Sequence, residues 1–184
     1  MRTHKLLMAG QSVVILALAV EVVLLTIQNR RLARSLEGSL QPLPRVGMAV
    51  QELELYELAG KRVQLTSAHG ATLLLLFAPG CPACELDAAQ WQKLAALCAE
   101  RGVSLVAVCL DRRKECGEFA QRHHVPFPVV ADSARAVEEV LGPVARIPAR
   151  VLVKNGVIEE VMAGAGTPAR EAEFEERLLR HMAL

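Results

Sequence analysis

Aromatic side chains are scarce: one Trp, one Tyr and four Phe in 184 residues, 3% of the chain. Charge is nearly balanced, with 21 Lys/Arg against 20 Asp/Glu. Such a chain has neither the stacking platform nor the basic face of a nucleic-acid binder. Glycine (12) and proline (9) are too few for a fibrous or low-complexity chain. Five cysteines are too few, and odd in number, for a disulfide-stapled miniprotein. The one Cys-x-x-Cys has no second such pair and no His-x-x-x-His to complete a zinc site, so no metal is expected. No internal repeat is present. One compact domain with an unusual N-terminus remains.

What is abundant is aliphatic. The chain is 52% hydrophobic, and the surplus lies in Leu6–Ile27, LLMAGQSVVILALAVEVVLLTI, whose single charge is Glu21. At 1.5 Å per residue this run makes about 33 Å of helix, enough for a hydrocarbon core of about 30 Å. A cleaved signal peptide has a shorter apolar core, about 7–15 residues, and a small-x-small site. Here the run leads into QNRRLARSL. Residues 6–27 are therefore expected to be an uncleaved transmembrane anchor, preceded by a short tail, 1–5. Glu21 is costly inside a membrane, and is expected near one end, protonated or watered. Residues 28–45 read as a basic juxtamembrane stalk, because Pro42 and Pro44 exclude a helix interior.

Residues 46–184 read as the folded domain. LELYELAGKRVQL predicts two short strands around Ala59–Gly60, and Thr72–Phe77 a strand buried on both faces. Cys81–Arg101 reads as one helix ended by Gly102. Val103–Cys109 is a second buried strand, Lys114–His123 a helix, Pro128–Val130 a short strand and Ala134–Leu141 a further helical turn or two. Ala149–Lys154 and Val157–Ala163 flank Asn155–Gly156, the strongest hairpin signal. Thr167–Pro168 supplies an N-cap and an N1 proline for a last helix to about Met182. Alternating β and α closed by a hairpin and a helix predicts an α/β fold with a mixed sheet.

The chemistry is concentrated in APGCPACE. Cys81 sits where a buried strand meets a helix N-terminus, and free N–H groups there favour a thiolate. Cys84, one turn further in, is suited to resolving a mixed disulfide, so the pair is expected to cycle through a Cys81–Cys84 disulfide. Cys98 and Cys109 read as small buried hydrophobes; the spacing leaves open whether Cys109 pairs with Cys116. His123–His124, near a helix C-terminus, reads as a surface pair placed favourably on the dipole. Ile147–Pro148 stands immediately before the hairpin.

The anchor, the FAPGCPAC box, the DSARAVEEVLGPVARIPARVLVKNGVI stretch and the last helix together resemble the membrane-anchored TlpA-type thiol–disulfide oxidoreductases of thioredoxin-like fold. The likeness covers about residues 46–180 plus the anchor, and QRHHVPFPVVADS resembles the helix and strand this family inserts. It implies that Pro148 is cis and packed beside Cys81, that Ile147 offers its backbone to an extended substrate segment, and that no organic cofactor is needed. Asp87, three residues after Cys84, resembles an acid these proteins carry, and is expected either to take the Cys84 proton or to be an ordinary exposed first-turn acid. The Cys-Pro-x-Cys order is also similar to MauD-type accessory proteins. Several family features are missing. Pro82–Ala83 replaces Gly-Pro, Gly80 replaces the tryptophan that often precedes the first cysteine, and Leu75 stands where thioredoxins bury an acid. The helix-kinking proline after the active site is absent, GPVARIPAR replaces the motif of cytochrome c maturation relatives, and Trp91 reads as a packing residue.

These readings make the chain an anchored oxidoreductase that reduces or exchanges disulfides in exported, cysteine-containing proteins. A membrane electron-relay protein is its expected redox partner. A peroxiredoxin-type peroxidase is a second reading. Its Pro-x-x-x-Thr/Ser-x-x-Cys pattern fails at Leu74 and Ala78 for Cys81, and at Phe77 and Cys81 for Cys84. A third is a non-enzymatic assembly or maturation factor for a periplasmic enzyme. Positive-inside counting is near a tie, Arg2 and Lys5 against Arg30, Arg31 and Arg34. The chemistry and the resemblance place the domain in the periplasm of a bacterial inner membrane.

Overall fold

The computed structural model describes residues 18–30 and 43–182. Most of the expected anchor (6–17), the tail before it and most of the stalk lie outside the described residues. Residues 18–30 form a helix, α1, whose side chains are exposed. Among the described residues no helix is long and apolar enough to cross a membrane.

The domain proper falls within a compact unit that begins at Pro42. Its elements are β1 (Leu53–Tyr56), β2 (Arg62–Thr66), β3 (Ala71–Phe77), α2 (Pro82–Ala88), α3 (Trp91–Glu100), β4 (Ser104–Cys109), α4 (Arg113–Arg122), β5 (Val129–Ala131), α5 (Ala136–Leu141), β6 (Ala149–Lys154), β7 (Val157–Ala163) and α6 (Pro168–Met182). β1 and β2 pair as a separate antiparallel ribbon. The main sheet runs β5-β4-β3-β6-β7, with β3, β4 and β5 parallel and β6 and β7 antiparallel to their neighbours. This is a thioredoxin-like mixed sheet.

Strand alternation builds two cores, because successive side chains leave a strand on opposite faces. Leu73, Leu75 and Phe77 of β3 pack with Trp91, Phe119, Phe174 and Leu178, from α3, α4 and α6. Leu74 and Leu76 pack on the other side with Leu65, Val137 and Leu141. β3 is apolar on both faces because both are covered.

Cys81–Arg101 is not one helix: α2 and α3 are separated by a turn at Ala89–Gln90. No proline makes the break. The backbone tightens there, with Gln90 N–H donating to Asp87 C=O, an i to i+3 bond. Asp87 and Trp91 are both buried on either side of it. Gly102 ends α3 as expected, at φ +66°, with Val103 N–H reaching back to Cys98 C=O.

Candidate active site

Sheet register brings the two halves of the site together. β3 and β6 are antiparallel neighbours, and Leu76 lies opposite Ala149. The chain leaving β3 toward Cys81 therefore passes the chain entering β6 through Ile147–Pro148. A tight turn, Ala78-Pro79-Gly80-Cys81, joins β3 to α2, with Cys81 N–H donating to Ala78 C=O. Gly80 sits at φ +76°, which the turn requires and a tryptophan would adopt only under strain.

Cys81 caps α2, and Pro82 follows at N1, where a missing N–H costs nothing. Its Sγ lies 4.0 Å from the Ile147 carbonyl oxygen. The Ile147–Pro148 peptide is cis, and the Pro148 carbonyl accepts a hydrogen bond from Gly164 N–H. Cys81 is half-buried and Cys84 fully buried. Burial pushes the Cys84 thiol far above the ordinary cysteine range. A hydrogen bond that the Cys84 S–H donates to Cys81, and the nearness of Cys81 and the Asp87 carboxylate, push the same way, against a backbone hydrogen bond at Ala78.

Cys81 and Cys84 stand as thiols, so the expected Cys81–Cys84 disulfide is not formed in this state. The disulfide present joins Cys109 to Cys116 across the β4–α4 loop, and both residues are fully buried. Cys98 is a buried thiol, raised to about 11 by burial alone.

Asp87 is not an exposed first-turn acid. Only 4% of it is accessible. Its Oδ1 accepts from Arg150 Nη2 at 2.5 Å and its Oδ2 from Trp91 Nε1 at 2.8 Å. Trp91 thus packs against Phe77 and Phe119, as its helix position implies, and also holds a carboxylate. Arg150 was not anticipated as a site residue, although a buried strand reading ARVLV with one cation demands a counter-charge. It shares the β6 face of Leu152, lies over the Phe174 ring and bonds Glu171 through Nη1 at 2.5 Å.

His123 is not part of a surface pair. Its ring packs on Phe119 at 4.3 Å, and Nε2 meets Glu85 Oε2 at 2.5 Å, tying the end of α4 to the active-site helix. Among the described residues no cluster of three His, Cys, Asp or Glu is placed to hold a metal ion.

A thioredoxin-like sheet with a Cys-x-x-Cys at the β3–α2 junction defines a thiol–disulfide exchange protein by class. Residues 45–178 match the profile of the Redoxin family, to which the chain belongs. It is 33% identical over 132 residues to thiol–disulfide oxidoreductase ResA of Oceanobacillus iheyensis, covering 67% of each chain. A Chlorobium tepidum structure, proposed to be the thiol:disulfide interchange protein DsbE, superposes with a TM-score of 0.67 at 22% identity. The match covers 76% of this chain and 99% of that one. Peroxiredoxin Bcp of Bacillus subtilis is 26% identical over 96 residues, 51% of this chain and 61% of its own. The chain is a thioredoxin-like thiol–disulfide oxidoreductase of the redoxin family.

Proposed function

We propose that the chain is a membrane-anchored, extracytoplasmic oxidoreductase that reduces or exchanges disulfides in exported proteins through Cys81 and Cys84. The observation that carries this is the pairing of a half-buried Cys81 beside the Ile147 carbonyl with a fully buried Cys84 behind it. Cys81 attacks a substrate disulfide: one Cys81–substrate S–S bond forms, the substrate S–S bond breaks, and the leaving sulfur departs as thiolate. The Ile147 carbonyl holds an extended substrate segment against the site. Cys84 then gives up its proton and attacks Cys81 Sγ, which closes the Cys81–Cys84 disulfide and frees the second substrate thiol. Two electrons have passed to substrate, and a membrane electron-relay protein returns them.

Cys84 cannot attack as the buried thiol it is at rest, so its proton needs an acceptor. Asp87 is that acceptor, since it lies three residues on, is buried on the same helix, and its charge already acts on Cys84.

Two observations support the location. The Cys109–Cys116 disulfide suits an oxidising compartment. In α1, Leu18, Val20, Val22, Val23, Leu24, Leu25 and Ile27 are exposed, as a lipid-facing helix requires. The peroxidase reading gains nothing from the site, because no threonine or serine stands three residues before either cysteine.

Insulin disulfide reduction by the purified protein, lost in Cys81→Ser, tests the chemistry; retained turnover removes the assignment. Alkaline phosphatase fused after Leu184 tests the location. Active enzyme in a bacterial host is expected, and an inactive fusion places the domain in the cytosol.

A further inference from the structure

Arg150 is 2% accessible and carries two carboxylates, Asp87 on Nη2 and Glu171 on Nη1. A plain Asp–Arg pair would have sufficed to neutralise a buried cation, and Glu171 leaves the trio with one net negative charge. Glu171 is placed with little tolerance. Its side chain is 14% accessible, and its Oε1 is buried with no partner among the described residues. That oxygen lies against Gly166, where a Cβ would overlap it. Asp87, Gly166 and Glu171 line a cleft of about 310 Å³, which the Lys93–Glu175 ion pair also lines.

We propose that Glu171 is a positioning residue that makes Asp87 usable as the acceptor of the Cys84 proton, by supplying Arg150 with a second counter-charge. The inference rests on the reading of Asp87 given above. With Asp87 as the sole partner, protonating it strands a desolvated guanidinium, and that penalty keeps the carboxylate locked in its pair. With Glu171 in place, the protonated state still holds an Arg150–Glu171 pair, and the trio passes from net −1 to neutral. The Cys84 proton then moves to Asp87 as the Cys84–Cys81 bond forms and the substrate sulfur leaves with its electron pair. Asp87 releases the proton to solvent through the cleft. The titratable and charged groups around Asp87 are the Cys84 thiol on α2, Arg150 from β6, Glu171 from α6, and Lys93 with Glu175, which line the same cleft.

The test isolates the second step. Reduced protein is mixed with Ellman's reagent, which loads thionitrobenzoate on Cys81; release of the second thionitrobenzoate reports attack by Cys84, followed against pH. Glu171→Gln keeps the shape and a hydrogen-bond acceptor but removes the charge. Gly166→Ala displaces the same carboxylate while leaving Glu171 itself unchanged, and serves if the first variant folds poorly. Both are expected to slow release about tenfold at neutral pH, because a weaker base then takes the Cys84 proton, and to move its pH midpoint down by about one unit. A purely structural role would lower stability and leave that midpoint in place. Asp87→Asn should slow release at least as much, and adding Glu171→Gln to it should change nothing further. Unchanged rate and midpoint in both Glu171→Gln and Gly166→Ala, while Asp87→Asn is slow, overturn the role of Glu171 alone. An Asp87→Asn variant as fast as the wild type overturns the Asp87 reading and this inference with it.

Discussion

Replacing Cys109 and Cys116 together by alanine tests what the second cysteine pair contributes. The bridge joins the end of β4 to the first half of α4 over a sequence separation of 7. For so short a ring, loop-closure entropy in the unfolded chain amounts to about 2.5 kcal/mol. Both residues are 0% accessible and belong to the core that contains Phe77, Trp91 and Phe119. Removing two buried sulfurs adds about 1 kcal/mol of lost packing. In a domain of this size, a total of about 3.5 kcal/mol lowers Tm by roughly 7–14 °C. The assay is thermal unfolding of wild type and Cys109→Ala/Cys116→Ala, both with the active-site pair reduced by a brief, mild treatment that leaves the buried bridge intact. Insulin reduction should be retained, because the bridge staples α4 and takes no part in exchange. A double variant that melts within about 2 °C of the wild type, too little for a ring closure of this size, would refute the reasoning. So would loss of turnover in a fully folded variant.

Two further outcomes follow from burial. Substoichiometric iodoacetamide at neutral pH should label Cys81 and spare Cys84 and Cys98, as peptide mapping will show; equal labelling would contradict their burial. Burial holds the Cys98 thiol up at about 11 in the folded state. The unfolded state therefore loses its proton first, and the associated stability is complete below about pH 9 and falls as pH rises toward 11. Denaturant titrations across that window should show Cys98→Ala losing on the order of 1–2 kcal/mol less than the wild type, and parallel losses would contradict it.

The sheet was legible because its signals are local. TLLLLF is apolar at every position after its threonine, and Asn155–Gly156 turns with both residues at positive φ, +50° and +75°. The two reacting cysteines were legible for the same reason, as a spacing at a strand–helix junction. Asp87 was legible only as one of two open readings, and Arg150 not at all. Three residues after Cys84, an acid reads as an ordinary first-turn residue, and only a cation 63 positions away explains its burial. Arg150 itself sits in a strand where alternation would allow an outward polar residue; here α6 covers that face, and the side chain has Phe174 and Glu171 as neighbours. The interruption between α2 and α3 was illegible as well, because Ala89 and Gln90 are good helix formers and the break serves burial on both sides of it.

The central claim is that Cys81 forms the bond to substrate and Cys84 breaks it. Cys84→Ser expressed in a bacterial host, quenched with acid and alkylated, tests this most directly by mass spectrometry of its disulfide-linked adducts. Adducts should accumulate on Cys81, join it to cysteines of exported proteins, and disappear in Cys81→Ser/Cys84→Ser. Adducts mapping to Cys98, Cys109 or Cys116, or no adduct on a folded protein whose Cys81 is free, would contradict it.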